Sequence, residues 1–286
     1  MKKSVFVFTL IVMTTVSWAQ SSEDIGDALS EVGGPVAVNS NVYVYGGSGV
    51  ELYNNGPLVN SPGTGAGGDD ESVLQSNTLG HTLIGYGHQV INDNRVADDF
   101  SVTGNGWEIE SIDFFAYQTN ETASTITAIN LQIWDGVPGE PGSNVVFGDT
   151  VTNIMTSTAY SGIQRVTETT LGATNRQVAV SNVAVGITLS PGTYWLDWQA
   201  DGSGASGPWA PPITINGQLT TGNALQSLAG AAFVPLVDTG TSSQQGLPFV
   251  IYGQTAEPTV VPSLNFYGLI VLGMMSLIFT RRFIKK

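Results

Sequence analysis

The sequence predicts an all-β protein, an antiparallel β-sandwich of a jelly-roll-like kind. Short runs of β-branched and aromatic residues alternate with turn signals along most of the chain, a pattern typical of sandwiches. Glycine is abundant, with 35 of the 286 residues, and helix-forming stretches are few. A parallel sheet would need helices between its strands, so the antiparallel arrangement is favoured. The runs are densest over residues 95–256, which we expect to be the sandwich domain.

The region before the sandwich domain, residues 20–94, is rich in glycine, asparagine and serine. It predicts a few strands, at Asn41–Tyr45 and Val50–Tyr53, where valine and tyrosine concentrate. The stretch Asn60–Glu71 contains several helix and strand breakers and is predicted to be a loop. We therefore expect an N-terminal region with a few strands ahead of the sandwich.

Alternation within the sandwich domain predicts which residues face the core. In the run INLQI, apolar and polar residues alternate, so the apolar set is expected to face inward. In the run TYWLDW, the same alternation puts Trp195 and Asp197 on the face opposite the other large apolar residues. The strand predicted at Trp107–Tyr117 changes phase at Ser111, which indicates a bulge or a strand covered on both faces.

The first 19 residues have the pattern of a secretory signal peptide. Two lysines precede an apolar run over residues 5–16, and small residues precede a cleavage site between Ala19 and Gln20. The apolar run is shorter than the about 20 residues of a spanning helix, so we expect export with removal of the segment. The chain contains no cysteine, which excludes disulfides and a lipoprotein anchor, and stability must come from a packed core.

An apolar stretch near the other end predicts a membrane helix. Residues 265–280 carry no charge and reach the lower limit for crossing a bilayer, about 17 residues, when Leu264 is included. Residues 281–286 are mostly basic and predict a cytoplasmic tail, because moving these charges through hydrocarbon is costly. We therefore expect an inner-membrane anchor with the bulk of the chain in the periplasm.

The residues around this stretch resemble a sorting signal. The run Val261–Leu264, the nearby Gly268, the apolar stretch and the basic cluster that begins at Arg281 are together similar to an IPTL-CTERM tail, a relative of the PEP-CTERM tails on surface proteins of Gram-negative bacteria. The resemblance implies an exosortase-type processing enzyme as partner, with release or re-anchoring of the ectodomain at the cell surface. A plain single-pass anchor has the same physical pattern and stays the alternative. The linker and sorting motif occupy residues 257–264. The residues that the resemblance assigns to the signal are Val261, Pro262, Ser263, Leu264, Gly268, Arg281 and Arg282.

A second resemblance covers about Leu52 to Gly253. The segments LQIWDG and GTYWLDW make this region similar to a recurring module of secreted bacterial proteins that bear such tails. The resemblance implies one β-sandwich module and no particular activity.

The charge distribution excludes nucleic acid as a partner. All four lysines lie in the two terminal segments, and the body holds three arginines against 23 acidic residues, a formal charge of −20. Binding of nucleic acid depends on neutralising phosphates with lysine and arginine. An acidic surface without lysine favours solubility, cations and neutral or basic partners.

Calcium is the metal that the sequence favours, because aspartate-rich and glycine-rich loops supply oxygen ligands. No EF-hand loop or calcium-binding repeat occurs. The sequence therefore leaves two possibilities open, a structural calcium ion or no metal and no cofactor. His81 and His88 match no zinc signature and are expected to be exposed or locally hydrogen-bonded. The calcium candidates are Asp98, Asp99 and Asp135, together with Asp197 and the run Asp69–Glu71.

The aromatic residues suggest carbohydrate as a ligand. Trp134 and Trp209 lie at predicted turn and loop positions, where a flat ring beside amides and acids suits a sugar, although aromatic residues also fill cores. The segment SGPWAPPITINGQ, from Ser206, is predicted to be a presented loop. We therefore expect a non-catalytic surface or extracellular-matrix protein, with binding of an extracellular polysaccharide as the alternative.

An enzyme acting on glycosides is a weaker alternative. The pairs Glu108 with Glu110 and Asp98 with Asp99 would need to face each other about 5–9 Å apart, with one pKa raised by burial. No nucleophile motif with its strand-to-helix elbow occurs.

Overall fold

The computed structural model describes residues 22–24, 47 and 49–257, and this part of the chain is all-β, as predicted. Two 3-10 turns, Ala66–Gly68 and Val90–Asn92, accompany the strands. The first nine strands are β1 Ser22–Asp24, β2 Val50–Asn54, β3 Asp70–Leu74, β4 Leu83–Gly87, β5 Arg95–Val102, β6 Trp107–Ala116, β7 Ile126–Trp134, β8 Val145–Asp149 and β9 Met155–Thr167. The others are β10 Gln177–Leu189, β11 Gly192–Gly202, β12 Trp209–Ala210, β13 Leu225–Ser227, β14 Val234–Pro235, β15 Val237–Asp238, β16 Ser243–Gln244 and β17 Phe249–Thr255.

Two six-stranded sheets form the body. Sheet 1 has the order β2-β17-β6-β10-β9-β3 and sheet 2 the order β14-β13-β5-β11-β7-β8. A small third sheet, β1-β4-β12, and the hairpin β15-β16 complete the described part. All pairings between these strands are antiparallel except that of β3 with β9. That parallel pair is sterically allowed because a long stretch of chain separates the two strands.

The main core lies between the two six-stranded sheets. The rings of Phe114 in β6 and Trp198 in β11 are 4.8 Å apart, and one buried cluster takes side chains from both sheets. Leu196 and Trp198 belong to this cluster, as their alternation predicts. Trp195 and Asp197 point to the other face of β11, and both are buried there as well.

The change of phase at Ser111 corresponds to a bulge, which is one of the two predicted arrangements. Ser111 and Ile109 of β6 pair with consecutive residues of β17, Tyr252 and Gly253, so Glu110 is an extra residue in the ladder. The bulge lets Ile109 and the apolar residues that follow it keep facing the core.

The residues before Arg95 take part in the same sheets as the residues after it. β2, at the place predicted for the strand at Val50–Tyr53, pairs with β17, and β3 pairs with β9. The predicted loop at Asn60–Glu71 is confirmed up to the start of β3. The boundary placed at Arg95 therefore does not coincide with a gap between sheets.

The two predicted terminal signals and the strand predicted at Asn41–Tyr45 lie outside the described residues. This applies to the signal peptide, the sorting motif, the helix at 265–280 and the basic tail. Within residues 22–24, 47 and 49–257, no helix has the length and apolar character needed to cross a bilayer.

Candidate functional site

A surface cleft of about 470 Å³ lies where β11 ends, beside the 3-10 turn Val90–Asn92 and the loop that leads into β12. Its volume is in the range of small-molecule sites, roughly 300–1,000 Å³. The lining residues are Gln89, Ile91, Asn92, Asp201, Gly202 and residues 204–209 without a gap.

The buried side chain of Gln89 ties the walls of the cleft together. Its Nε2 donates to the carbonyl of Pro208 at 2.9 Å, and its Oε1 accepts from Nδ2 of Asn94 at 2.8 Å. Its backbone also bridges to Ala200 on β11. Because both ends of the amide are used, the loop before Trp209 is held against the 3-10 turn.

Trp209 is held by its backbone and by its ring. Its N–H donates to the carbonyl of Tyr117 at 2.9 Å, and its carbonyl accepts from the N–H of Tyr117 at 3.0 Å. The indole Nε1 donates to Oγ of Ser206 at 3.0 Å, and the ring packs on a small apolar cluster around Tyr117. Gly207 has a φ of 83°, and a Cβ there would lie 2.7 Å from Cδ1 of the ring. The half-buried indole therefore lines the cleft in a fixed position.

The rim of the cleft offers both polar and apolar contacts. Ile91 is 85% exposed, and the side chain of Asn92 beside it is also exposed. Asp201 is half-buried, and its Oδ1 accepts the N–H of Gly202 at 2.9 Å. No lysine or arginine lines this cleft. A site with one aromatic wall and a few polar side chains suits a small ligand that has both apolar and polar faces.

Trp134, the other predicted sugar contact, does not line this cleft. It ends β7 in sheet 2, where its Nε1 donates to Oδ2 of Asp197 at 3.1 Å. The same oxygen lies 3.3 Å from Nη2 of Arg95, whose guanidinium stands 5.1 Å from the ring centre of Phe233. Trp134 therefore belongs to a partly buried polar cluster of Trp134, Asp197 and Arg95, which we call the charge cluster.

The predicted loop that starts at Ser206 is not presented as a whole. Its first residues, up to the half-buried Trp209, line the cleft. The next five, residues 210–214, are buried, because the proline-rich stretch packs under the surface beside the buried Arg165. The predicted presented loop is therefore accessible at its two ends, up to Trp209 and over residues 216–218, and buried in its middle.

The calcium candidates are not brought together. Asp98 is buried, and its Oδ2 accepts N–H groups from Asn55 and from Leu247, both at 2.8 Å. Asp135 accepts the N–H of Asn144 and closes the turn between β7 and β8. Among the residues that the structure describes, no three His, Cys, Asp or Glu side chains meet in a way that would hold a metal ion. The carboxylates of the run Asp69–Glu71 are likewise bonded to protein donors.

The two candidate carboxylate pairs differ in geometry. Asp98 and Asp99 are consecutive residues of β5, so their side chains point to opposite faces of sheet 2. Burial raises the pKa of Asp98 to about 7, against the effect of its hydrogen bonds. Glu108 and Glu110 lie half-buried on β6, with Glu110 at the bulge. A facing pair across a cleft is therefore not formed by Asp98 and Asp99.

Neither histidine is exposed. His81 is 6% exposed, and its Nε2 lies 3.3 Å from the carbonyl of Leu219. His88 is fully buried, and burial lowers its pKa to about 4 although the carbonyls of Tyr86 and Pro208 raise it. The histidines were predicted to be either exposed or locally hydrogen-bonded. Exposure is wrong, because the TLIGYG run between them includes the buried strand β4.

Two buried arginines, Arg165 and Arg176, were not predicted to be functional or structural residues. Arg176 donates from Nε to Oε1 of Glu23 at 2.8 Å, and the hydroxyls of Tyr117 and Thr119 also donate to this carboxylate. Arg165 is buried and donates to backbone and hydroxyl oxygens, including the carbonyl of Ile84. An arginine in a body without lysine is the only signal that the sequence offers for such roles.

A second, more apolar cleft of about 590 Å³ lies on the outer face of sheet 1. Phe115, Val250 and Tyr252 contribute to its floor, and Glu51 and Asp70 lie at its border. Its lining holds no lysine or arginine either.

Comparison of the chain with protein-family models, characterised proteins and solved structures finds no match. The geometry of the cleft at Trp209 therefore carries the functional argument. Of its residues, the sequence singled out Trp209 and the loop segment from Ser206 that carries it. Asp201 comes from one further segment and the consecutive residues Ile91 and Asn92 from another, with no shared motif, so no sequence signal joins them to Trp209.

Proposed function

We propose that this chain is an exported, non-catalytic, jelly-roll-like sandwich that binds carbohydrate in the cleft at Trp209. One observation carries the proposal. A fixed, half-buried indole lines an open cleft together with the exposed amide of Asn92 and the carboxylate of Asp201.

The chemistry of sugars matches this arrangement. The C–H face of a sugar ring packs on an aromatic ring, while its hydroxyls bond to amides and carboxylates at the edge. The indole of Trp209 is already anchored by Ser206 and Tyr117, so little side-chain freedom is lost when a ligand binds. The exposed side chain of Ile91 would contact a second apolar patch of the sugar ring.

The two predicted terminal signals support a location outside the cytoplasm. We propose that the signal peptide directs export and that the IPTL-CTERM-like tail anchors the chain in the inner membrane. An exosortase-type enzyme would then release it or re-anchor it at the cell surface. An extracellular polysaccharide is the ligand that fits this location. Mass spectrometry of the mature chain tests the proposal, which fails if Lys286 is still present on the exported protein.

The binding proposal is tested with purified ectodomain and a panel of soluble polysaccharides in affinity electrophoresis. We expect retardation of the wild type and its loss in Trp209→Ala. The exposed substitutions Asn92→Ala and Ile91→Ala should weaken retardation without touching the fold. Trp134→Phe is the matched control, because it alters a half-buried tryptophan outside the cleft. Retardation that persists in all three cleft variants, or no retardation of the wild type by any polysaccharide, overturns the proposal.

A further inference from the structure

We infer that the cleft at Trp209 selects sugars that carry a free amino group over neutral or acidic sugars. The inference rests on the proposed function and names the ligand class of the same site. It follows from the charges that line the cleft and from the cations that cannot reach it.

Among the residues that the structure describes, no lysine or arginine is placed to neutralise the cleft. Arg95 is paired with Asp197 in the charge cluster, Arg176 with Glu23, and Arg165 is fully buried. All lysines lie in the first three or the last two residues of the chain. Asp201 therefore faces the cleft without a counter-charge from the described part of the protein.

One more carboxylate stands close to a wall of the cleft. Oε1 of Glu121 lies 2.8 Å from the place that a Cβ on Gly204 would take, and Gly204 lines the cleft. Glu121 adds to the negative potential that Asp201 creates at the cleft, so an anionic sugar is repelled there.

A protonated amine fits the cleft in two ways. It can donate to Oδ2 of Asp201 while Oδ1 keeps the N–H of Gly202, and charge-assisted bonds of this kind are stronger than neutral ones. It can also lie near the face of the Trp209 ring, since cations are attracted to an indole. A uronic acid gains neither contact and is repelled by Asp201. A neutral sugar keeps the stacking and the hydroxyl bonds of the proposed site but gains no charge-assisted bond.

The experiment compares three short oligosaccharides of equal length by isothermal titration calorimetry. They are a β-linked glucosamine trimer, its N-acetylated form and a uronic acid trimer. We expect the amine form to bind about fivefold more tightly than the acetylated form at low salt, the size of a half-exposed ion pair, and the uronic acid form not to bind. High salt should reduce this preference.

Variants distinguish the site from general attraction to an acidic protein. Asp201→Asn keeps an acceptor for the N–H of Gly202, so it should fold and remove most of the preference for the amine. Glu140→Gln changes an exposed acid in the turn between β7 and β8 that does not line the cleft, so it should leave the preference unchanged. Trp209→Ala should abolish binding of both the amine and the acetylated trimer.

The outcomes separate the two proposals. Equal binding of the amine and acetylated forms, unaffected by Asp201→Asn, overturns the selectivity while leaving carbohydrate binding intact. Amine binding that survives Trp209→Ala shows attraction to the whole acidic surface, and it overturns the site. Absence of binding by every trimer overturns the selectivity, and it overturns the proposed function only if the polysaccharide panel is negative too.

Discussion

Trp134 and Trp209 look alike in the sequence and lie in opposite kinds of surroundings. Both rings are half-buried, and both indole N–H groups have a partner inside the protein. The partner of Trp134 is the buried carboxylate of Asp197, while that of Trp209 is a serine hydroxyl on the wall of an open cleft. The neighbours of an aromatic ring, more than its exposure, therefore separate a structural tryptophan from one that is placed to meet a ligand.

Removal of the cation from the charge cluster is expected to have the largest effect. Arg95→Met leaves Asp197 with the Trp134 N–H as its only bond in the cluster, and an unpaired buried charge costs about 3 kcal/mol of unfolding free energy. Urea denaturation at pH 8 measures this. Sugar binding should stay unchanged, because Arg95 does not line the cleft. A loss of binding with an intact fold would break the separation between the two regions.

The pH dependence of stability tests the burial of Asp197. Burial raises the pKa of Asp197 from 3.8 to about 6, although Arg95 and the Trp134 N–H lower it. The folded state holds this proton more tightly than the unfolded state, so the free energy of unfolding should fall as pH rises from about 4 to about 6.

Asp197→Asn should lack this fall, which amounts to about 2 kcal/mol at roughly 1.4 kcal/mol per pKa unit. The measurement is the difference between the wild type and the variant in urea denaturation from pH 4 to pH 8. Asp98, with its raised pKa, and His88, with its lowered pKa, are present in both proteins and cancel in that difference. Parallel curves would show that Asp197 is not buried in solution.

A matched pair of substitutions sharpens the comparison of the two tryptophans. Trp134→Phe and Trp209→Phe remove the same N–H and the same part of the ring. The bond to the Asp197 carboxylate should be worth about 2 kcal/mol and the bond to the Ser206 hydroxyl about 1 kcal/mol, since bonds to charged groups are the stronger ones. Thermal denaturation of both variants checks the order, and a reversed order would contradict the assignment of Trp134 to the charge cluster.

The smallest effect is expected at Asp201. Asp201→Asn should change the free energy of unfolding by less than about 0.5 kcal/mol, because the residue is half-buried at the surface and its neighbour's N–H keeps an acceptor. Denaturation in urea measures it. A cost of several kcal/mol would place Asp201 among the structural carboxylates, with Asp98 and Asp197.

The strands were predictable because their signals are local. β7 and β11 follow from alternation within about ten residues, and the bulge in β6 is visible as the change of phase at Ser111. The parallel pairing of β3 with β9 was not predictable, since register between distant segments leaves no trace in either one. For the same reason the predicted boundary at Arg95 overlooks how β2 and β3 complete sheet 1.

The candidate site was less predictable than the fold. Asp98 looked like a calcium ligand because it is an aspartate beside another aspartate, yet its oxygens accept N–H groups from Asn55 and Leu247. Those partners lie far from Asp98 in the sequence, so no local pattern reveals them.

The all-β class, the inward faces of the main strands and the acidic, lysine-free body follow from the sequence alone, and the terminal signals are predictions of the sequence. These properties depend on composition and on periods of a few residues. Only the tertiary structure decided that Trp209 lines a cleft with Asn92 and Asp201 while Trp134 is tied to Asp197 and Arg95. The physical reason is that burial and charge pairing depend on which distant segments meet, and the two tryptophans meet different ones.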